Sequence, residues 1–188
     1  MRVDANILSV YNQSVTDFIG FLRANRIKAV TSTTVKTEAE KQIPSAVNRL
    51  IDLAHPRRLR QVRAVALTKC TARLRELWSH LDVSTLPSNI TPVKEFYQRL
   101  SDDPHTRTRL EKIRNFKKSR SLMPEDSDLK IISEAVSLKT DDNEVYFVTK
   151  DEHFCEFSRE IYEEFKLNIR PIQSLIQFKR RLEELKER

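Results

Sequence analysis

The stretch 128–154, DLKIISEAVSLKTDDNEVYFVTKDEHF, limits the fold more than any other part of the chain. Its first half repeats apolar residues at helical spacing from Leu129 to Leu138, whereas Val145 to Val148 form a short continuous run rich in β-forming residues. Such a run predicts a strand buried on both faces, and a buried strand between two helices is typical of a parallel α/β sheet. Functional residues collect just beyond the carboxyl ends of such strands. We therefore expect Asp151 to lie at a functional edge of the sheet.

Further strands and helices are predicted on both sides of this stretch. Apolar patterns indicate strands at 1–4, 27–31 and 167–170, and helices at 14–25, from about 34 to 54, at 153–166 and from 174 onward. Together they predict an α/β domain over 1–172, a parallel sheet flanked by helices, and a C-terminal helix over 173–188. The highly charged end of that helix suits extension from the domain or pairing with a protein partner, including a second copy of the chain.

A segment of about 55–121 interrupts this pattern with helices and positive charge. Residues 49–121 hold 17 basic and 7 acidic side chains, a balance of +10, against +2 for 1–48 and −5 for 122–188. Helical patterns cover 57–81, 92–100 and 107–120, with a loop predicted at 83–91. In the last helix Leu110 and Ile113 face the core, and Phe116 is a third candidate. We expect an inserted all-helical basic lobe.

One-sided positive charge is commonly used to contact phosphate, and it is the polarity expected of a protein that holds a polyanion. A solvated helix surface is the alternative. We predict RNA as the partner, with DNA left open. The residues predicted to contact nucleic acid are Arg57, Arg58, Arg60, Arg63, Arg114, Lys117 and Lys118.

Several classes of function are excluded by composition. Gly20 is the only glycine, so no glycine-rich phosphate loop or dinucleotide fingerprint is present and we expect no small-molecule cofactor. Two isolated cysteines are too few for a disulfide framework or a zinc site, and the four histidines lack ligand spacing and are treated as non-catalytic. No apolar run approaches the roughly 18 residues of a membrane helix, and no secretory signal is recognisable. We expect a cytoplasmic protein with no membrane partner.

Four short motifs, in the right order, resemble those of PIN-domain nucleases. The resemblance covers 1 to about 48 and 122 to about 172. The opening MRVDANIL matches the acidic tip of that family's first strand, IKAVTSTTVKTEAE matches the start of its second helix, and 128–154 matches its second half. The matched positions are Asp4 and Asn6, Val35 and Glu38, Asp128, Ile131 and Ala135, and Val148, Thr149, Asp151 and Phe154.

The resemblance implies a PIN-like fold and a metal-dependent endoribonuclease that leaves 5′-phosphate and 3′-hydroxyl ends. One or two Mg²⁺ or Mn²⁺ ions would be held by four carboxylates, with Asn6 and Thr149 in support. Carboxylate oxygens suit these hard ions, and crowded carboxylates need a cation to stay ionised together. The four catalytic and metal-binding carboxylates are those of Asp4, Glu38, Asp128 and Asp151.

Alternatives stay open for individual carboxylates. Asp128 is favoured by a helix dipole whatever its function, and Asp126 is its nearest rival. Glu38 and Glu40 lie roughly 200° apart on a helix, so both cannot point into one site. Thr149 and Glu152 have capping-box spacing, which gives the turn at 149–152 a purely structural interpretation.

Two interpretations of the whole protein remain. Many members of the resembled family are compact toxins neutralised by an antitoxin, and the long basic segment between Glu38 and Asp128 departs from that pattern. The alternative to a nuclease is a non-catalytic nucleic-acid-binding or scaffold protein on the same fold.

Overall fold

The computed structural model describes residues 2–3, 20, 23–24, 26, 28–51, 59–140, 143–149 and 151–171. Within them the chain forms a five-stranded sheet in which every neighbouring pair is parallel, in the order β3-β2-β1-β4-β5. The strands are β1 Arg2–Val3, β2 Val30–Ser32, β3 Asp82–Ser84, β4 Tyr146–Thr149 and β5 Asn168–Pro171. The predicted α/β class with a parallel sheet is therefore confirmed.

The helices connect and cover these strands. They are α1 Thr33–Ile51, α2 Leu59–His80, α3 Ile90–Asp102, α4 Pro104–Lys117, α5 Asp126–Ser137, α6 Glu152–Glu156 and α7 Ser158–Phe165. Most of the predicted helix at 14–25 and all of the C-terminal helix at 173–188 lie outside the described residues. No helix among those that can be described is long and apolar enough to cross a membrane.

The stretch 128–154 forms the helix and strand predicted for it. In β4 the adjacent side chains of Phe147 and Val148 are both fully buried, as a strand covered on both faces requires. Leu129 and Ile132 of α5 are buried in the same hydrophobic core, since their spacing of three places them on one helix face. The turn after β4 therefore follows a strand whose side chains belong to the hydrophobic core.

The predicted all-helical character of 55–121 is wrong, because Asp82–Ser84 is a strand that pairs in parallel with β2. The apolar faces of α3 and α4 do not form a core of their own. Phe96, Tyr97 and Leu110 belong to the same buried cluster as the strands. The placement of Phe116 toward the core is also wrong, since this residue in the last turn of α4 is 75% exposed.

Side-chain caps fix where α3 and α4 begin. Asn89 Oδ1 accepts a hydrogen bond from the amide of Thr91 at 3.2 Å, and Asp103 Oδ2 accepts one from the amide of Thr106 at 2.9 Å. Such caps satisfy amides that have no partner within the helix. Because Asp103 both ends α3 and caps α4, the two helices meet at a sharp corner. This corner brings the far end of α4 to the turn after β4.

Candidate functional site

Two carboxylates and one imidazole meet beside the carboxyl end of β4. Each of Asp128, Asp151 and His153 offers one ligand atom, and these atoms all lie within 4.8 Å of one another. We call these three residues the Asp–His cluster. Asp128 comes from the first turn of α5, whereas Asp151 is the N-cap of α6 and His153 lies in the first turn of that helix. Residues 23 positions or more apart in sequence are therefore brought together by packing of α5 against the sheet.

The turn after β4 is built by its own side chains. The amide of Asp151 donates to Thr149 Oγ1 at 2.9 Å, and Asp151 Oδ1 accepts from the amide of His153 at 2.8 Å. Asp151 is thus the N-cap of α6, and the capping box expected of Thr149 and Glu152 is not formed. Capping accounts for one carboxylate oxygen of Asp151. The second oxygen points to another partner.

That partner is Lys117, the last residue of α4. Its Nζ lies 2.6 Å from Asp151 Oδ2 and 3.1 Å from Nδ1 of His153. Burial raises the pKa of Asp151, but hydrogen bonds from His153 and Lys117 outweigh burial and lower this pKa to about 2. The Asp151 carboxylate is consequently ionised at any physiological pH. Lys117, which the sequence predicts to contact nucleic acid, forms an ion pair with this carboxylate in the structure.

The sequence predicts His153 to be non-catalytic, because the four histidines show no metal-ligand spacing. The structure buries it, with 4% of its surface exposed, and its carbonyl oxygen accepts a hydrogen bond from the hydroxyl of Tyr97 at 3.0 Å. Its Nε2 is buried and has no hydrogen-bond partner among the described residues. Burial, followed by the nearby charges of Asp151 and Asp128, raises the pKa of the Tyr97 phenol, so the phenol stays a donor. The Asp-x-His spacing after a strand is the signal that could have identified His153.

The geometry separates the rival carboxylates of α5 and α1. Asp128 is half-buried and belongs to the cluster, while Asp126 is exposed. Glu40 is exposed as well. Glu38 is half-buried and lines a cavity of about 460 Å³ together with Ser127, the residue before Asp128. Glu38 therefore lies across this cavity from the N-terminal end of α5, the end of the helix that also carries Asp128.

A buried carboxylate that the sequence did not single out joins α1 to α5. Glu134 is 1% exposed, and its Oε1 accepts a hydrogen bond from Thr34 Oγ1 at 2.5 Å. Thr34 and Glu38 both belong to α1 and both line the same cavity. The contact fixes the first turn of α1 against α5, and so positions Glu38.

The remaining predicted residues divide into two groups. Asp4, Asn6, Arg57 and Arg58 lie outside the described residues, as does the side-chain placement of Arg60 and Arg63 on α2. In the sequence Asp4 directly follows Val3, which pairs with Val148 of β4. Arg114 and Lys118 are on or beside the last turn of α4, where Lys118 adopts a left-handed conformation with φ of 53° and is exposed.

The donor set of the Asp–His cluster fits a divalent cation. Carboxylate oxygens suit Mg²⁺ and Mn²⁺, whereas an imidazole nitrogen suits transition ions, so the combination favours Mn²⁺ over Mg²⁺. Nε2 of His153 is buried and has no hydrogen-bond partner among the described residues, so this nitrogen is available to a metal ion. Binding at Asp151 Oδ2 would require Lys117 Nζ to move away, because it occupies that position at 2.6 Å.

Comparison with protein-family models, with curated proteins and with solved structures finds no match for the chain.

Proposed function

We propose that the chain is a metal-dependent endoribonuclease on a PIN-like fold, hydrolysing RNA phosphodiester bonds at the Asp–His cluster. The observation that carries the proposal is the meeting of Asp128, Asp151 and His153 within 4.8 Å beyond the end of a buried strand. This is the edge of a parallel sheet at which ligands bind. Capping of α6 accounts for one oxygen of Asp151, and Nε2 of His153 is buried without a hydrogen-bond partner among the described residues.

The chain's own groups suit the handling of a phosphodiester. Asp128 and Asp151 are carboxylates able to hold a cation, and Glu38 and Asp4 extend the proposed set. A divalent ion held there would polarise the phosphodiester and lower the pKa of a bound water. Lys117, once displaced from Asp151, keeps its positive charge beside the cluster and can neutralise a phosphate oxygen.

Charge supports RNA as the substrate class. Residues 49–121 carry the balance of +10, and their helix α4 ends at the Asp–His cluster with Arg114, Lys117 and Lys118. A basic surface leading to an acidic site is the polarity that a nuclease needs to hold a polyanion over a metal. The proposal includes a cytoplasmic protein that uses Mn²⁺ or Mg²⁺, needs no small-molecule cofactor, and leaves DNA binding open.

A non-catalytic nucleic-acid-binding protein is the second candidate. The ion pair between Lys117 Nζ and Asp151 Oδ2, at 2.6 Å, favours it, because the ammonium already supplies the cation that this carboxylate requires. If no divalent ion displaced the lysine, the cluster would be a structural tie between α4 and α6. The two candidates differ in whether a metal binds.

The test is RNA cleavage by matched carboxylate variants. Wild-type protein is incubated with an end-labelled structured RNA and Mn²⁺ or Mg²⁺, with and without excess EDTA. Asp128→Asn and Asp151→Asn should each abolish the metal-dependent cleavage. Asp126→Asn is the matched control, since it removes the same charge from the same turn of α5 at an exposed position and should cleave like wild type.

Each outcome decides between the two candidates. Cleavage that needs metal and disappears in both cluster variants supports the nuclease. Cleavage that survives in both variants points to a contaminating nuclease and refutes the assignment of the site. RNA binding without cleavage, together with no heat of Mn²⁺ binding by calorimetry, supports the non-catalytic protein.

A further inference from the structure

A second pocket lies between α4 and α6, beside the Asp–His cluster. Its volume is about 480 Å³, within the range of small-ligand sites. Phe116 and Lys112 line it from α4, and Glu152 lines it from α6. Phe116 immediately precedes Lys117 in the sequence, and Glu152 stands between Asp151 and His153. The pocket is therefore lined by residues that are the sequence neighbours of Lys117, Asp151 and His153.

Phe116 is unusual among the large apolar residues of the described part of the chain. The residue is 75% exposed, more than Val65 at 54% and Tyr162 at 46%, and its ring makes no ring contact with another described aromatic. Bases of single-stranded nucleic acid stack on such exposed rings, whichever base is presented. Phe116 thus offers a flat apolar face at the rim of the pocket.

The polar groups of the pocket are complementary to a nucleotide. Glu152 Oε2 is buried and accepts no hydrogen bond from any residue that the structure describes. Lys112 forms no ion pair within the described ranges, although the neighbouring Arg109 is fully engaged with Glu156 and Glu160 and lies over the ring of Phe157. The pocket therefore combines an acceptor that needs a donor with a cation that can take a phosphate.

We infer that this pocket binds an unpaired guanine of the RNA, stacked on Phe116, with its N–H edge donating to Glu152. The inference rests on the proposed RNA-directed function and names the nucleotide next to the cluster. A carboxylate has two acceptor oxygens and no donor. Guanine carries two adjacent N–H donors, at N1 and N2, on one edge, whereas adenine carries one amino group beside an acceptor nitrogen. The carboxylate of Glu152 therefore distinguishes guanine from adenine.

The experiment measures binding without cleavage. Fluorescence anisotropy of labelled heptanucleotides is followed in EDTA, with a uridine run that carries either one central guanine or one central adenine. Wild-type protein should bind the guanine probe about 5-fold or more tightly than the adenine probe. Glu152→Gln replaces one acceptor oxygen by a donor, so the two probes should bind with nearly equal affinity.

Phe116→Ala tests the stacking face. Loss of base stacking should weaken binding of both probes by about 5- to 140-fold. Tyr162→Ala is the matched control, because it removes an exposed aromatic from α7 and should bind like wild type. Phe116→Leu keeps apolar volume without a ring and should resemble Phe116→Ala. Circular dichroism establishes that every variant is folded, which the exposure of Phe116 favours.

Two results would overturn the pocket: wild-type affinity in Phe116→Ala, or a guanine preference kept by Glu152→Gln. Because binding is measured in EDTA, its outcome does not depend on catalysis. A guanine preference in a protein that never cleaves would refute the nuclease and retain the pocket. Cleavage that requires Asp151, together with RNA binding that is unchanged in Phe116→Ala, would support the nuclease and refute the pocket.

Discussion

Replacing Asp151 with Asn should remove a defined part of the pH dependence of the stability of the metal-free protein. Burial raises the pKa of this carboxyl, and the hydrogen bonds from His153 and Lys117 then lower it to about 2, from an ordinary value of 3.8. A group whose pKa is lower in the folded state stabilises that state above its unfolded pKa. This stabilisation is lost as the pH falls through the folded value. The loss therefore occurs between about pH 4 and pH 2.

The magnitude follows from the two pKa values. A pKa difference of about two corresponds to roughly 2 to 3 kcal/mol of free energy of unfolding at neutral pH. Between pH 5 and pH 3 the contribution of Asp151 should fall by about 1 kcal/mol. Asn keeps an amide oxygen that can accept from the backbone of His153, so the cap of α6 is retained while the charge is removed.

Urea unfolding at pH 5, 4 and 3 in EDTA measures this contribution. Trp78 is the only tryptophan and is 8% exposed, so its fluorescence reports unfolding of the core. The difference in unfolding free energy between wild type and Asp151→Asn should narrow by about 1 kcal/mol from pH 5 to pH 3. In Asp126→Asn, the control at an exposed position, the curve should stay parallel to that of wild type. A constant difference for Asp151→Asn would mean that Lys117 and His153 do not stabilise the ionised carboxylate.

Three further perturbations test other contacts. Lys117→Met removes the ammonium 2.6 Å from Asp151, and since a hydrogen bond between charged groups is worth about 1.5 to 3 kcal/mol, Mn²⁺ should bind about tenfold or more tightly by calorimetry. Unchanged affinity would show that the ion binds elsewhere. Tyr97→Phe removes the hydroxyl that donates to the His153 carbonyl and should lower the free energy of unfolding by about 1 kcal/mol, measured with urea. An unchanged free energy of unfolding would show that this hydrogen bond does not stabilise the fold. On the Asp151→Asn background, replacing three arginines with glutamine should lower the affinity for RNA, measured by filter binding. The slope of log affinity against log salt concentration should become shallower by up to about three. An unchanged slope would mean that these arginines form a solvated face. Those arginines are Arg57, Arg58 and Arg60.

The sequence was sufficient to predict those elements whose own side chains show a pattern of burial. The apolar run of β4 and the helical spacing of α5 identify both elements without any knowledge of their neighbours. β3 was missed because Asp82 and Ser84 flank a single apolar residue, Val83, and the strand lies at the edge of the sheet. Pairing of backbone groups with β2 holds it there, and backbone pairing leaves no pattern of side chains.

Site residues could likewise be predicted only where a local pattern in the sequence marks them. Asp128 and Asp151 could be proposed because each follows a recognisable element boundary. The partnership of Lys117 with Asp151 could not, since it depends on where the corner at Asp103 aims the far end of α4. Phe116 is spaced to share a helix face with the buried Ile113, so periodicity predicts that it is buried too. Periodicity does not show that the neighbouring helix α6 is only five residues long, and Phe116 is exposed.

The position of β1 has a consequence for how the chain acquires its structure. Among the strands that the structure describes, β1 is the first in the sequence and the central one in the sheet, with β2 on one side and β4 on the other. Arg2 pairs with Val30 across one edge and with Phe147 across the other. During synthesis, the second edge stays unpaired until more than a hundred further residues have left the ribosome. Contacts so distant in sequence close slowly. We expect nascent chains that end before β4 to expose an open sheet edge, a surface to which chaperones bind and which promotes aggregation until β4 and β5 have been synthesised.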